Sequence, residues 1–96
     1  MIGAPRAAQP PREPDAEDQR LQELVVFMAK GLVDHPDEVS VEILSAGRDA
    51  RFELLVHPDD LGHVIGKQGR TARSMRLCLD AAAAKIDRNA DLEIAD

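Results

Sequence analysis

Gly66 and Gly69 stand three positions apart between two apolar patterns of helical period. The second half of the chain therefore reads as a short helix, a tight turn and a longer helix. Glycine reaches backbone angles closed to other residues and has no Cβ to hold a ligand away from the main chain. The turn, Val64-Ile65-Gly66-Lys67-Gln68-Gly69-Arg70, carries one cation inside it and another directly after. No acidic residue occurs from Leu61 to Leu79, while Lys67, Arg70, Arg73 and Arg76 supply four positive charges. The whole chain has a net charge of −6. A polyanion must therefore be drawn to this local patch, because the bulk charge repels it.

A nucleic-acid backbone is the ligand such a turn suits. The first amides of the longer helix lack intrahelical partners and carry the positive end of its dipole. Lys67 acts as a point charge, and Gln68 offers a hydrogen-bond donor and acceptor. Arg70 and Arg73, one helical turn apart, face an incoming strand together. Val64 and Ile65 supply an apolar floor for a groove. The same residues also fit a turn that merely joins two helices, with its arginines a solvated face.

The rest of the chain is read around this turn. At 96 residues it holds one small domain. Residues 1 to about 17 contain four of the six prolines (Pro5, Pro10, Pro11 and Pro14) and little to bury, which predicts a disordered tail before a domain spanning 18–96. Leu21, Leu24, Val25, Met28 and Leu32 recur at helical spacing, and His35-Pro36 is expected to end that helix. Val39, Val41 and Ile43 alternate with polar residues, as do Phe52, Leu54 and Val56, predicting a hairpin turned at Gly47. Pro58-Asp59-Asp60 opens the short helix. Ala72, Met75, Leu79, Ala82, Ala83 and Ile86 mark the long one, and Leu92 and Ile94 point inward from a last strand.

Other chemistries are excluded or weakened. Phe27 and Phe52 are the only aromatics and both lie on stripes expected in the core, which argues against base-stacking aromatic platforms. A nucleotide-hydrolysing P-loop needs four residues between its glycines, and Gly62 and Gly66 enclose three. His35, His57, His63 and Cys78 share no metal-ligand spacing, so no metal or cofactor is expected. Cys78 reads as a small buried residue, His63 as a surface one, and no nucleophile–base set points to an enzyme. One cysteine, no apolar run long enough to span a bilayer and no signal-peptide core suggest a cytoplasmic protein away from membranes.

Ile65-Gly66-Lys67-Gln68-Gly69-Arg70 resembles the signature GxxG loop of KH domains, and the order αββααβ is that of their type II form. The stretch from Pro58 to Ala72, the later Ala81-Ala82-Ala83-Ala84-Lys85 and the earlier Val33-Asp34-His35-Pro36 resemble small bacterial single-KH proteins of the KhpA type. The likeness covers roughly Leu21 to Ile94. It implies an α+β fold, a three-stranded sheet covered on one face by three helices. It also implies a groove beside the loop that clamps about four nucleotides of single-stranded RNA. Gly66, Lys67, Gln68 and Gly69 would contact the sugar-phosphate backbone, Arg70 would support them, and Val64 and Ile65 would line the groove. Such proteins are global RNA binders linked to small-RNA regulation, cell elongation and division. They form homodimers or pair with a second, larger KH-containing protein. A scaffold with weak or no RNA binding is the rival reading, because Leu77, Ala81 and Ala84 form a second apolar face on the long helix, a candidate dimer contact.

Overall fold

A computed structural model describes residues 14–96. Helix α1 spans Ala16–Lys30, strands β1 and β2 span Ser40–Ser45 and Asp49–Leu55, and helix α2 spans Leu61–Ile65. Helix α3 (Arg70–Lys85) and strand β3 (Asn89–Ile94) complete the αββααβ order expected from the sequence. Short 3₁₀ turns at Pro36–Glu38 and Pro58–Asp60 and a tight non-helical turn at Lys67–Gly69 join them.

The sheet runs β1-β2-β3 and is mixed. Strands β1 and β2 pair antiparallel, with Val41 opposite Leu54 and Ile43 opposite Phe52. The register slips between Ile43 and Ser45, which leaves Leu44 as an exposed bulge residue. Strand β3 pairs parallel to β2, Phe52 beside Leu92 and Leu54 beside Ile94. A parallel pair needs a long crossover, and the α2–turn–α3 segment supplies it. The turn with the glycine pair therefore sits inside the one connection the topology makes obligatory.

All three helices lie on one face of the sheet. The core joins Leu21, Val25 and Ala29 of α1 to Ala50, Phe52 and Leu54 of β2, with Val64 of α2 and Met75, Leu79 and Ala83 of α3. Phe52 and Leu79 are completely buried at its centre. On the opposite face Glu42, Glu53 and Glu93 lie side by side across the three strands. Like charges directly opposite one another oppose pairing, and Arg51 relieves only one of them by its ion pair with Glu93.

Several expectations change. Phe27 is 77% exposed and takes no part in the core. It lies two residues past Val25, about 200° around the helix, and so on the far side from the sheet. Helix α1 stops at Lys30 with Gly31 as its cap, before Pro36, which instead opens a 3₁₀ turn. Residues 1–13 of the expected tail lie outside the described residues, but Asp15, Ala16 and Glu17 belong to the domain. Asp15 caps α1 by accepting the Asp18 amide at 2.8 Å, and the Asp18 carboxylate accepts the Asp15 amide in return.

That cap is fastened to the rest of the fold. Asp18, fully buried, also accepts the Gly47 amide at the hairpin tip (3.1 Å) and Arg88 Nη1 (2.6 Å). Arg88 Nη2 reaches Asp15 at 2.6 Å and Glu17 at 3.4 Å. One arginine between α3 and β3 thus ties down the start of α1. The Arg88 guanidinium holds the Asp15 carboxyl far below the usual carboxylate range, helped by the Asp18 amide. A depressed carboxylate contributes stability above its unfolded-state pKa of about 3.9 and loses it as the pH falls further. Urea unfolding across pH 7 to 2 should therefore find Arg88→Met less stable than the native chain at neutral pH. Its stability should also fall less steeply below about pH 4. Parallel pH profiles would mean that Asp15 and Arg88 do not pair in solution.

Candidate nucleic-acid interface

The platform for the turn is set by Asp60. This residue is fully buried at the start of α2 and accepts the main-chain amides of Asp34 (3.0 Å) and His35 (2.9 Å), together with His35 Nδ1 (2.9 Å). Burial alone would push its carboxyl up, but these donors together hold it below the ordinary range. The same contact, led by the hydrogen bond that His35 donates to Asp60, raises the pKa of His35. The chain leaving α1 is thereby fixed against the residue that precedes the short helix.

Helix α2 closes with the Gly66 amide donating to Gly62 O at 2.8 Å. Gly66 then adopts φ 77°, ψ 170°, a conformation essentially limited to glycine. A Cβ there would lie 2.1 Å from Thr71 Oγ1. Space and backbone angle make the same demand. Gln68 (φ 58°, ψ 25°) and Gly69 (φ 73°, ψ 15°) continue the turn in the left-handed region. A Cβ on Gly69 would meet nothing within 4 Å, so this side of the turn is open.

Lys67 and Gln68 form the exposed tip. Among the described residues nothing accepts their amides, whereas the amides of Gly69 and Arg70 bond back to Gly66 O and Lys67 O. The amides expected to greet an anion thus divide. Two hold the turn's shape and two have no acceptor among the described residues. Arg70 and Arg73 are exposed, as their positions off the buried stripe required. Arg76 is anchored, its Nε donating to Leu92 O at 3.1 Å. Leu92 O belongs to the outer edge of β3, because Asn89 and Ala95 turn their amides toward β2 and alternate residues point the opposite way. The cations Lys67, Arg70, Arg73 and Arg76 therefore run from the turn along α3 toward the free edge of the sheet, where a notch of about 290 Å³ mixes Arg51 and Arg76 with Asp80, Asp91 and Glu93.

One expected groove residue is corrected. Val64 is completely buried in the core, so it supports the floor from below and offers no surface, while Ile65 is half-buried and accessible. The contacts of Thr71 and Asp60 were invisible in the sequence, since each depends on a partner brought near only by folding. On the outer side of α3, Leu77 is 62% exposed, with Ala81 and Ala84 also exposed. Cys78 is exposed beside them, against the expectation of a buried thiol. Helix α1 runs antiparallel to α3, its start at Arg88 and its far end at Asp60, so exposed Phe27 shares this outer layer.

The family model for the KhpA/KhpB KH domain matches residues 22–94. The chain belongs to the KhpA/KhpB KH-domain family. It is 50% identical over 76 residues to the RNA-binding protein KhpA of Halalkalibacterium halodurans, covering 79% of this chain and all of that protein. The RNA-binding protein KhpA of Bacillus subtilis is 40% identical over 79 residues (82% and 98%), and that of Borreliella burgdorferi 43% identical over 74 residues (77% and 90%). No solved structure matches the chain. The family is non-enzymatic. Among the described residues no helix is long and apolar enough to cross a membrane.

The two glycines should respond differently to alanine. Gly69→Ala pays only the left-handed backbone cost, about 1–2 kcal/mol. Gly66→Ala adds a collision with Thr71 and should lower the melting temperature further. Equal effects in thermal unfolding would contradict the close contact between Gly66 and Thr71.

Proposed function

We propose that this protein binds single-stranded RNA through the Gly66–Gly69 turn, with little sequence preference, as a post-transcriptional regulator or RNA chaperone in the cytoplasm. The observation that carries this reading is the exposed Lys67–Gln68 tip, whose two amides have no acceptor among the described residues, on a turn that packs closely against Thr71. Arg70 and Arg73 extend its positive charge along α3. The relatives named RNA-binding proteins support the same ligand. Contacts to phosphate and sugar position a strand without reading its bases, which is why weak sequence preference follows. Ile65 and the outer edge of β3 flank the path the bases would take.

Reversing the tip tests this. Lys67→Asp with Gln68→Asp should abolish binding to a short unstructured RNA while leaving the melting temperature close to native, because both side chains are exposed. For the native chain, log K should fall with log salt at a slope near −2, from about three phosphates at roughly 0.7 each. Normal binding by the variant, or a flat salt response, would place the site elsewhere.

A protein-pairing role is favoured by the outer face of α3. Leu77 is a large apolar side chain left exposed there beside Ala81 and Ala84, and Phe27 is another on the neighbouring helix. A homodimer, or pairing with a second KH protein, through the Leu77–Ala84 end of this face would join two weak sites into one tighter binder. Sedimentation of the native chain and Leu77→Asp decides it: a dimer that becomes a monomer supports this face, and unchanged mass removes it.

A further inference from the structure

The three histidines, scattered in sequence, meet at one place in the fold. His35 lies between α1 and β1, His57 precedes the turn into α2, and His63 is in α2. The rings of His35 and His57 stack with centroids 4.1 Å apart and planes 14° from parallel. Donor atoms of His35, His57 and Asp59 all lie within 4.8 Å of one another. Their sequence spacing carries no hint of this, because the ligands come from two segments that Asp60 joins in the fold.

The surroundings are those of an oriented ligand set. Asp60 accepts from His35 Nδ1, which fixes the proton there and leaves the Nε2 lone pair free. A carboxylate behind an imidazole is the usual device for aiming a histidine at a metal. Asp59 Oδ2 lies 3.7 Å from His57 Nδ1, and Glu38 Oε2 lies 3.9 Å from His57 Nε2. Both carboxylates are close to the ring yet beyond hydrogen-bond range of it. Asp34 and His63 converge on Asp60 as well, but both Asp60 oxygens are already engaged by three donors. The His35–His57–Asp59 set is therefore the more available one.

We propose that His35, His57 and Asp59 bind one divalent transition-metal ion, with Asp60 orienting His35 and Glu38 near enough to complete the set. Two imidazoles and a carboxylate suit Zn²⁺, Co²⁺ or Ni²⁺, whereas Mg²⁺ and Ca²⁺ require oxygen ligands. Binding requires the half-exposed His57 ring to turn out of the stack, because lone pairs in parallel rings do not converge. The Asp59 amide, now bonded to His57 Nδ1 at 3.0 Å, gives up that acceptor. The ion would clip the segment after α1 to the turn opening α2, whose far end is Gly66. Its role is to stiffen the platform of the loop.

Calorimetric titration of the full chain with ZnCl₂, in a Cys78→Ser background that removes the exposed thiol, tests the site. One Zn²⁺ per chain is expected. Binding should weaken at least about tenfold in Asp59→Asn and in His57→Phe, which keeps a ring in the stack but no donor. His63→Ala should bind like the parent, and circular dichroism should show all variants folded. No saturable binding, saturation only at millimolar zinc, binding that survives both ligand variants, or loss on His63→Ala would each overturn the proposal.

Discussion

The contact between Gly66 and Thr71 is the constraint on which the site depends. The chain leaving α2 must turn within four residues to start α3, and it passes so close to the first turn of α3 that no side chain fits at Gly66. That closeness draws the main chain of Gly69 and Arg70 inward, where their amides hold the turn. Lys67 and Gln68 are left at the apex, their amides without an acceptor among the described residues. Unengaged amides beside a lysine are a combination that suits an anion, and the parallel β2–β3 pairing ensures that a long crossover exists to carry them.

Charge gives this seat its direction. A chain of net charge −6 would repel RNA if its charge were spread evenly. Instead the open face of the sheet carries the Glu42–Glu53–Glu93 row, while the helical side presents Lys67, Arg70 and Arg73 without an acid between Leu61 and Leu79. A local basic block on one side, set against the glutamate row on the other, is the kind of charge asymmetry that orients a diffusing polyanion. The row of glutamates costs some sheet stability. Its placement is consistent with an advantage gained in orientation.

Much of this was legible in the residues because it depends on local period and local chemistry. The αββααβ order followed from apolar spacing, and the turn from two glycines that only a special backbone requires. The failures share a cause: each depended on a partner distant in sequence. Phe27 looked like core by composition, yet its angle on α1 turns it to solvent. Val64 looked like groove because it adjoins the turn, but the sheet claims it. Asp15 and Glu17 looked like tail until Arg88, some seventy residues away, paired with them. The histidines showed no spacing because Asp60 gathers them only in three dimensions.

The central claim is that the apex amides receive the phosphate backbone. Amide chemical shifts recorded by NMR while a short single-stranded RNA is added test it most directly. The account predicts the largest, saturable shifts at Lys67 and Gln68, smaller ones at Ile65 and Arg70, and none along Glu42, Glu53 and Glu93. Largest shifts on the sheet face, or an apex that stays unmoved while RNA binds, would contradict it.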